Sequence, residues 1–164
     1  MNRRSLTVLV SAAAGIAALA FAVAPARALP SPQTSTITVT ASVAKSCTMT
    51  NTSLNFGAYD PAAAGPDDQF ATFTLNCTKG TTGTVSLNNG VNGARNMKGS
   101  GTNTDLLKYE IYSDSTRTTP WDTTNTVAAT GPNQTLTVYG RIATGLYVTP
   151  DTNYSDTVTA SVTF

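Results

Sequence analysis

Cys47 and Cys77 are the two cysteines of this 164-residue chain, and there is no histidine. Without an imidazole, a nucleophile would depend on Lys or a carboxylate, and a metal site would lack its commonest nitrogen ligand. No Cys-x-x-Cys spacing, Gly-x-Ser-x-Gly elbow or Walker loop occurs. Asp67-Asp68 is the one adjacent carboxylate pair, but it follows Gly65-Pro66, where a solvated turn is the ordinary reading and a catalytic or Ca²⁺ role the exception. The six tyrosines and Trp121 include candidates for a sugar-stacking platform: Tyr109, Tyr112, Trp121, Tyr139, Tyr147 and Tyr154. Against that, aromatics are good strand formers that fill half-buried cores. Four Asn-x-Ser/Thr matches, at Asn51, Asn76, Asn133 and Asn153, carry little weight in so Thr-rich a sequence. The chain is therefore read as a non-enzyme with no cofactor.

The cysteines acquire a role from the first residues. Arg3 and Arg4 precede a charge-free stretch from Leu6 to Ala24, and Ala26-Arg27-Ala28 follows as a small-x-small cleavage site. This is the layout of a secretory signal peptide, residues 1–28, with a retained membrane anchor as the competing reading. Export places Cys47 and Cys77 in an oxidising compartment, where a pair points to a disulfide. Removing 28 residues from 164 leaves 136, with seven basic residues against nine acidic ones, a net charge of −2. The seven cations are scattered singly, so no nucleic-acid partner is expected.

Those residues must be positioned by strands. Thr, Val, Ser, Asn and Gly dominate the mature sequence, and no stretch sustains a 3.6-residue period. Alternation places strands at residues 36–43, 54–58, 70–76, 84–88, 106–112, 134–142 and 155–164, with a weaker one at 126–129. Asp60-Pro61, Lys79-Gly80, Asn89-Gly90 and Gly131-Pro132 supply turns between them, and residues 29–35 and 97–104 read as flexible. The class is all-β, a sandwich whose inward faces include Val85/Leu87, Leu107/Tyr109/Ile111 and Leu136/Val138/Gly140. Trp121 lies outside the interval between the cysteines, so the ordinary immunoglobulin Cys-Trp-Cys arrangement is missing.

"TVTASV" appears twice, at residues 38–43 and 157–162. Ile37, Val39, Ala41 and Val43 form one apolar face, and Val158, Ala160, Val162 and Phe164 another. Neither segment carries the charge or proline that normally blunts an exposed strand edge. In a sandwich whose last strand runs to Phe164, the edge beside that strand is expected to lie uncovered.

Several stretches together resemble the spore coat protein U domain family, which includes subunits of archaic chaperone–usher pili: Cys47-Thr-Met, Leu54-Asn-Phe-Gly-Ala-Tyr-Asp-Pro61, Leu75-Asn-Cys77, Tyr109-Glu-Ile-Tyr-Ser-Asp-Ser-Thr-Arg117, Val138-Tyr-Gly-Arg-Ile142 and Tyr154-Ser-Asp-Thr-Val through Phe164. The resemblance implies an incomplete immunoglobulin-like sandwich of pilin type at residues 47–164, preceded by an extension at 29–46 that carries a donor strand. It matches Cys47 and Cys77 to the family's cysteine pair and the stretch before Cys47 to its donor segment. It implies a periplasmic chaperone, an outer-membrane usher and identical or related pilins as partners. The expected product is a cell-surface fibre, secreted through the periplasm and supporting adhesion or biofilm formation. Two alternatives stand beside it: a secreted carbohydrate-binding sandwich, and a coat protein completed by its own N-terminal strand.

Overall fold

The computed structural model describes residues 26–29 and 31–164. Most of the expected signal peptide lies outside the described residues, as does the stretch read alternatively as an anchor. Among the described residues no helix is long and apolar enough to cross a membrane. The chain divides into two units, Met1–Thr40 and Ala41–Phe164. In the first, the described residues form neither helix nor strand.

The second unit is all-β, with nine strands: β1 (Cys47–Met49), β2 (Asp67–Cys77), β3 (Thr82–Leu87), β4 (Asn96–Lys98), β5 (Leu106–Lys108), β6 (Glu110–Tyr112), β7 (Val127–Thr130), β8 (Gln134–Ile142) and β9 (Ala160–Thr163). Antiparallel pairing arranges them as β1-β2-β8-β6 and β7-β3-β9, with β4-β5 as a small third ladder. The longest ladder joins β2 to β8 through nine residue pairs, Asp67 opposite Ile142 to Leu75 opposite Gln134. Alternation explains its two faces. Phe73 and Leu75 of β2 and Leu136, Val138 and Ile142 of β8 are buried, whereas Thr74, Thr137, Tyr139 and Arg141 between them turn outward. All the inward faces read from the sequence are buried, Gly140 included.

Trp121, 1% exposed, connects the two sheets. Its indole N–H donates to the Val85 carbonyl of β3 at 2.9 Å, and its backbone N–H donates to Ile111 of β6 at 2.9 Å. Its ring stacks on Phe73, with centroids 6.0 Å apart. Arg95, also buried, donates from Nη2 to the Trp121 carbonyl at 2.8 Å. Burial pushes the Arg95 guanidinium below its usual range, offset by Tyr109, Glu110, Asp122 and Asp156 around it.

The structure departs from the sequence reading in several places. Residues 36–43 and 54–58 form no strand, and residues 155–164 form one only from Ala160 to Thr163, with a bridge at Ser155. The expected strand at 106–112 is two, because β5 pairs with β4 whereas β6 pairs with β8, and Tyr109 stands at the change of partner. Part of the loop read as flexible is a strand, β4. The rest is tied down: Asp151 accepts from the Ser100 backbone and hydroxyl at 2.9 and 2.7 Å and from Asn103 at 3.0 Å. Asp67 and Asp68 open β2 rather than sitting in a turn. Asp68 takes a bidentate pair from Arg141 at 2.7 Å to each oxygen, with Arg117 at 3.3 Å.

Cys47 and Cys77 are bonded to each other, and they stand directly opposite in the β1–β2 ladder. With 30 residues of separation, the cross-link restricts the unfolded chain by about 3.5 to 4 kcal/mol. Replacing both by Ser should lower the urea-unfolding free energy by about that amount.

Five carboxyls are held below their usual range: Asp68 by hydrogen bonds from Arg141, Asp105 by Thr149, Asp114 by Thr116, Asp122 by the Asn125 backbone and Asp151 by Ser100 and Asn103. A depressed carboxyl adds stability that is complete above its unfolded-state value, near pH 4, and is lost as pH falls through the folded value. With no histidine in the chain, the melting temperature should stay level from pH 8 to about pH 5 and then fall in acid. Asp151→Asn should lower it at pH 7, with the difference shrinking as pH falls below about 4.

Candidate functional site

A cleft of about 910 Å³ opens between residues 49–56 and residues 154–160. Its floor is the core itself. Phe73 and Val138 come from β2 and β8, Ile111 from β6 and Leu87 from β3, so inward side chains of both sheets are reached from outside.

One wall is the approach to β9. Asn88 N–H donates to the Thr159 carbonyl and Val91 N–H to the Thr157 carbonyl, each at 3.0 Å. These peptide groups thus face β3 and the turn beyond it. Successive peptide groups in a strand point to opposite sides, which turns those of Val158, Ala160 and Val162 the other way. That side is open: β9 ends the order β7-β3-β9, with no strand beyond it among the described residues.

Asp156 fixes the far end of this wall. Its Oδ2 accepts from the Tyr109 hydroxyl at 2.7 Å, and its Oδ1 accepts from the backbone N–H groups of Asn92 and Thr157 at 3.1 and 2.8 Å. Burial, then the bond to Asp156, pushes the Tyr109 phenol well up, so it remains a donor. Gly90 makes this approach possible. Its φ is +80°, and a Cβ there would lie 1.9 Å from Asp156 Oδ2.

The opposite wall leaves the sheet after β1. Thr50 N–H donates to Thr74 at 3.0 Å, and then Leu54 and Phe56 lie against Gly140 of β8, where an added Cβ would meet each at 2.6 Å. Tyr59 ends the wall by donating its hydroxyl to the Ala143 carbonyl at 2.7 Å and accepting from Leu146 N–H at 3.0 Å. The walls are thus anchored at their ends, and among the described residues no strand pairs with them across the cleft. A cleft so built can receive one extended strand, offering peptide groups along β9 and apolar contacts from its floor.

Of the residues singled out by sequence, the structure joins Cys47 to Cys77 and puts Val158 and Ala160 in the cleft lining. Val162 lies further along β9, and Phe164 follows its end, half exposed. Ile37, Val39 and Val43 are 81 to 87% exposed, and Ala41 is exposed too. Trp121 and Tyr109 are core residues, which removes them from any sugar platform. Sequence reasoning missed the Asp156–Tyr109–Asn92 anchor and the role of 49–56 as a wall. The alternation of Leu54 and Phe56 was a visible signal for the latter. Among the described residues no group of three His, Cys, Asp or Glu could hold a metal ion.

Comparison with known proteins agrees with this architecture. The Spore Coat Protein U domain matches residues 33–161. Protein U of Myxococcus xanthus is 33% identical over 130 residues, 68% of this chain and 72% of that protein. Among solved structures, the chain resembles one in the CsuC–CsuE chaperone–tip adhesion subunit pre-assembly complex from archaic chaperone–usher Csu pili of Acinetobacter baumannii. The TM-score is 0.54 at 25% identity, over 74% of this chain but 40% of that one. With the family matched across most of its length, from ahead of the disulfide into β9, the chain belongs to the Spore Coat Protein U domain family.

Proposed function

We propose that the protein is a structural subunit of a surface fibre, polymerised by donor-strand exchange: residues 37–43 of one molecule fill the cleft of the next, beside its Val158–Phe164. The observation that carries this reading is the cleft, an apolar core left open next to a strand paired on one side.

The dimensions fit. Seven residues from Ile37 to Val43 make six steps of about 3.3 Å, roughly 20 Å, and the cleft wall from Tyr154 to Ala160 is also seven residues long. The chemistry fits as well. In a strand, Ile37, Val39, Ala41 and Val43 share one face, which would meet Phe73, Leu87, Ile111 and Val138 while main-chain groups pair with the edge of β9. Burying Ile37, Val39 and Val43 would contribute roughly 5 to 9 kcal/mol as an upper bound. That is comparable to the stability of an ordinary domain, so an empty subunit is marginal and a filled one durable.

A marginal, open subunit needs a temporary occupant. The Acinetobacter baumannii neighbour comes from a complex of a chaperone with a pilus subunit before assembly. By analogy a periplasmic chaperone holds this cleft in transit, and an outer-membrane usher presents it to the next subunit's extension. The fibre then serves adhesion or biofilm growth at the cell surface.

Val39→Asp places a charge in the buried face of the donor and should abolish polymers on size-exclusion chromatography while chaperone binding persists. Deleting residues 29–44 should give a monomer whose melting temperature rises when a synthetic peptide of residues 35–45 is added. Polymers that survive both changes, or a peptide without effect, would overturn the reading.

A further inference from the structure

We propose a second site on the other side of the same sheet: the outer face of β2, β8 and β6 binds an extended, neutral polysaccharide. The pleat decides what stands there. With Phe73, Leu136, Val138 and Ile111 turned inward, Phe70, Tyr139 and Tyr112 are turned outward. The ladders set Phe70 opposite Tyr139 and Tyr139 opposite Tyr112, which aligns one ring from each of three neighbouring strands. At the usual interstrand distance the row is about 10 Å long. Phe70 is 67% exposed, unusual for a phenylalanine in the middle of a ladder.

The row is stiffened and bordered by polar groups. The Arg117 guanidinium lies over the Tyr139 ring, 5.8 Å from its centroid, and donates to the Gly140 and Gln69 carbonyls at 3.0 and 3.1 Å. Two residues along each strand, on the same face, Asp68, Arg141 and Glu110 form a parallel polar row. Beyond Tyr112 the face dips into a hollow of about 220 Å³ whose lining includes Tyr112, Lys108, Glu110, Arg141 and Leu146. On the other side of the ring row, Thr72 faces Thr137 and Thr74 faces Thr135, continuing the face with hydroxyls.

This combination selects among partners. Charges of both signs are interleaved, Lys108 with Glu110 at 3.4 Å and Arg141 with Asp68 at 2.7 Å, so the face has no run of unpaired cations for a polyanion. The three part-exposed rings form a narrow apolar strip set among hydroxyls and paired charges, unlike the broad apolar centre of a stable protein interface. A sugar ring has an apolar C–H face for the aromatics and an edge of hydroxyls that both donate and accept. The Glu110 carboxylate and the hydroxyls of Tyr112, Thr72 and Thr137 beside the rings answer that edge. Because the cleft is lined by inward side chains of these strands, filling it leaves the outer face free.

The test is co-sedimentation of the purified protein with microcrystalline cellulose and with insoluble β-1,4-xylan, followed by titration with cellohexaose. Retention on at least one solid is expected, with a dissociation constant raised tenfold or more by Phe70→Ala, by Tyr112→Ala and by Glu110→Gln. Melting temperatures identify any variant that fails to fold, and Phe70→Ala, which removes an exposed ring, should keep the native one. The proposal is overturned by no retention on either neutral solid, by retention on polygalacturonate alone, or by undiminished binding in Phe70→Ala. It is equally overturned if that variant changes self-association in the ultracentrifuge and leaves polysaccharide retention untouched.

Discussion

Trp121 lies between the two sheets and is held by both, its indole by the Val85 carbonyl, its backbone by Ile111 and its ring by Phe73. No strand includes it, yet the spacing of the sheets depends on it, since a buried tryptophan that lost the Val85 or the Ile111 carbonyl would leave a donor unsatisfied in the core. Arg95 adds a charged hydrogen bond to its carbonyl, a costly group to bury and therefore one that fixes the local path closely. Phe73 and Ile111 touch Trp121 and also line the cleft. The floor of the open cleft is thus held in shape from behind, without anything in the cleft.

That arrangement separates two tasks that compete in most small β-proteins. A sandwich normally gains its stability by closing its core, and a binding site on its edge is then flat. Here the core is closed around Trp121 and open between residues 49–56 and 154–160. The open part is kept ordered by anchors at its ends, Asp156 with Tyr109 and Asn92 on one wall and Tyr59 with Ala143 and Leu146 on the other. In the proposed exchange, an incoming strand would find its groove formed and give up less of its binding free energy to ordering.

The sequence made the strong strands legible and their partners obscure. Residues 134–142 were readable to the residue because Leu136 and Val138 alternate with Thr137 and Tyr139 over a long run. Three-residue strands such as β1 and β4 hold too little period to register. Residues 36–43 and 54–58 have the alternation without a ladder, because a strand is defined by hydrogen bonds to a neighbour and not by its own side chains. Asp67-Asp68 was misplaced by its preceding Gly-Pro, and only the register opposite Arg141 shows Asp68 as half of an ion pair. The cleft was foreseeable as an uncovered edge beside the final strand. Its second wall and the outward row of Phe70, Tyr139 and Tyr112 depend on long-range register, which one-dimensional pattern does not contain.

The place of the disulfide has a mechanical consequence. In a fibre linked as proposed, tension enters each sandwich along the chain that leads from residue 43 to Cys47. At Cys47 a covalent bond passes the load sideways to Cys77 at the end of β2, and nine residue pairs then share it with β8 in shear. The short β1 is relieved of being peeled away pair by pair, and the wall at 49–56 lies off the line of force. A cross-link that reads as a thermodynamic staple in an isolated subunit would become a clamp under tension in the proposed filament.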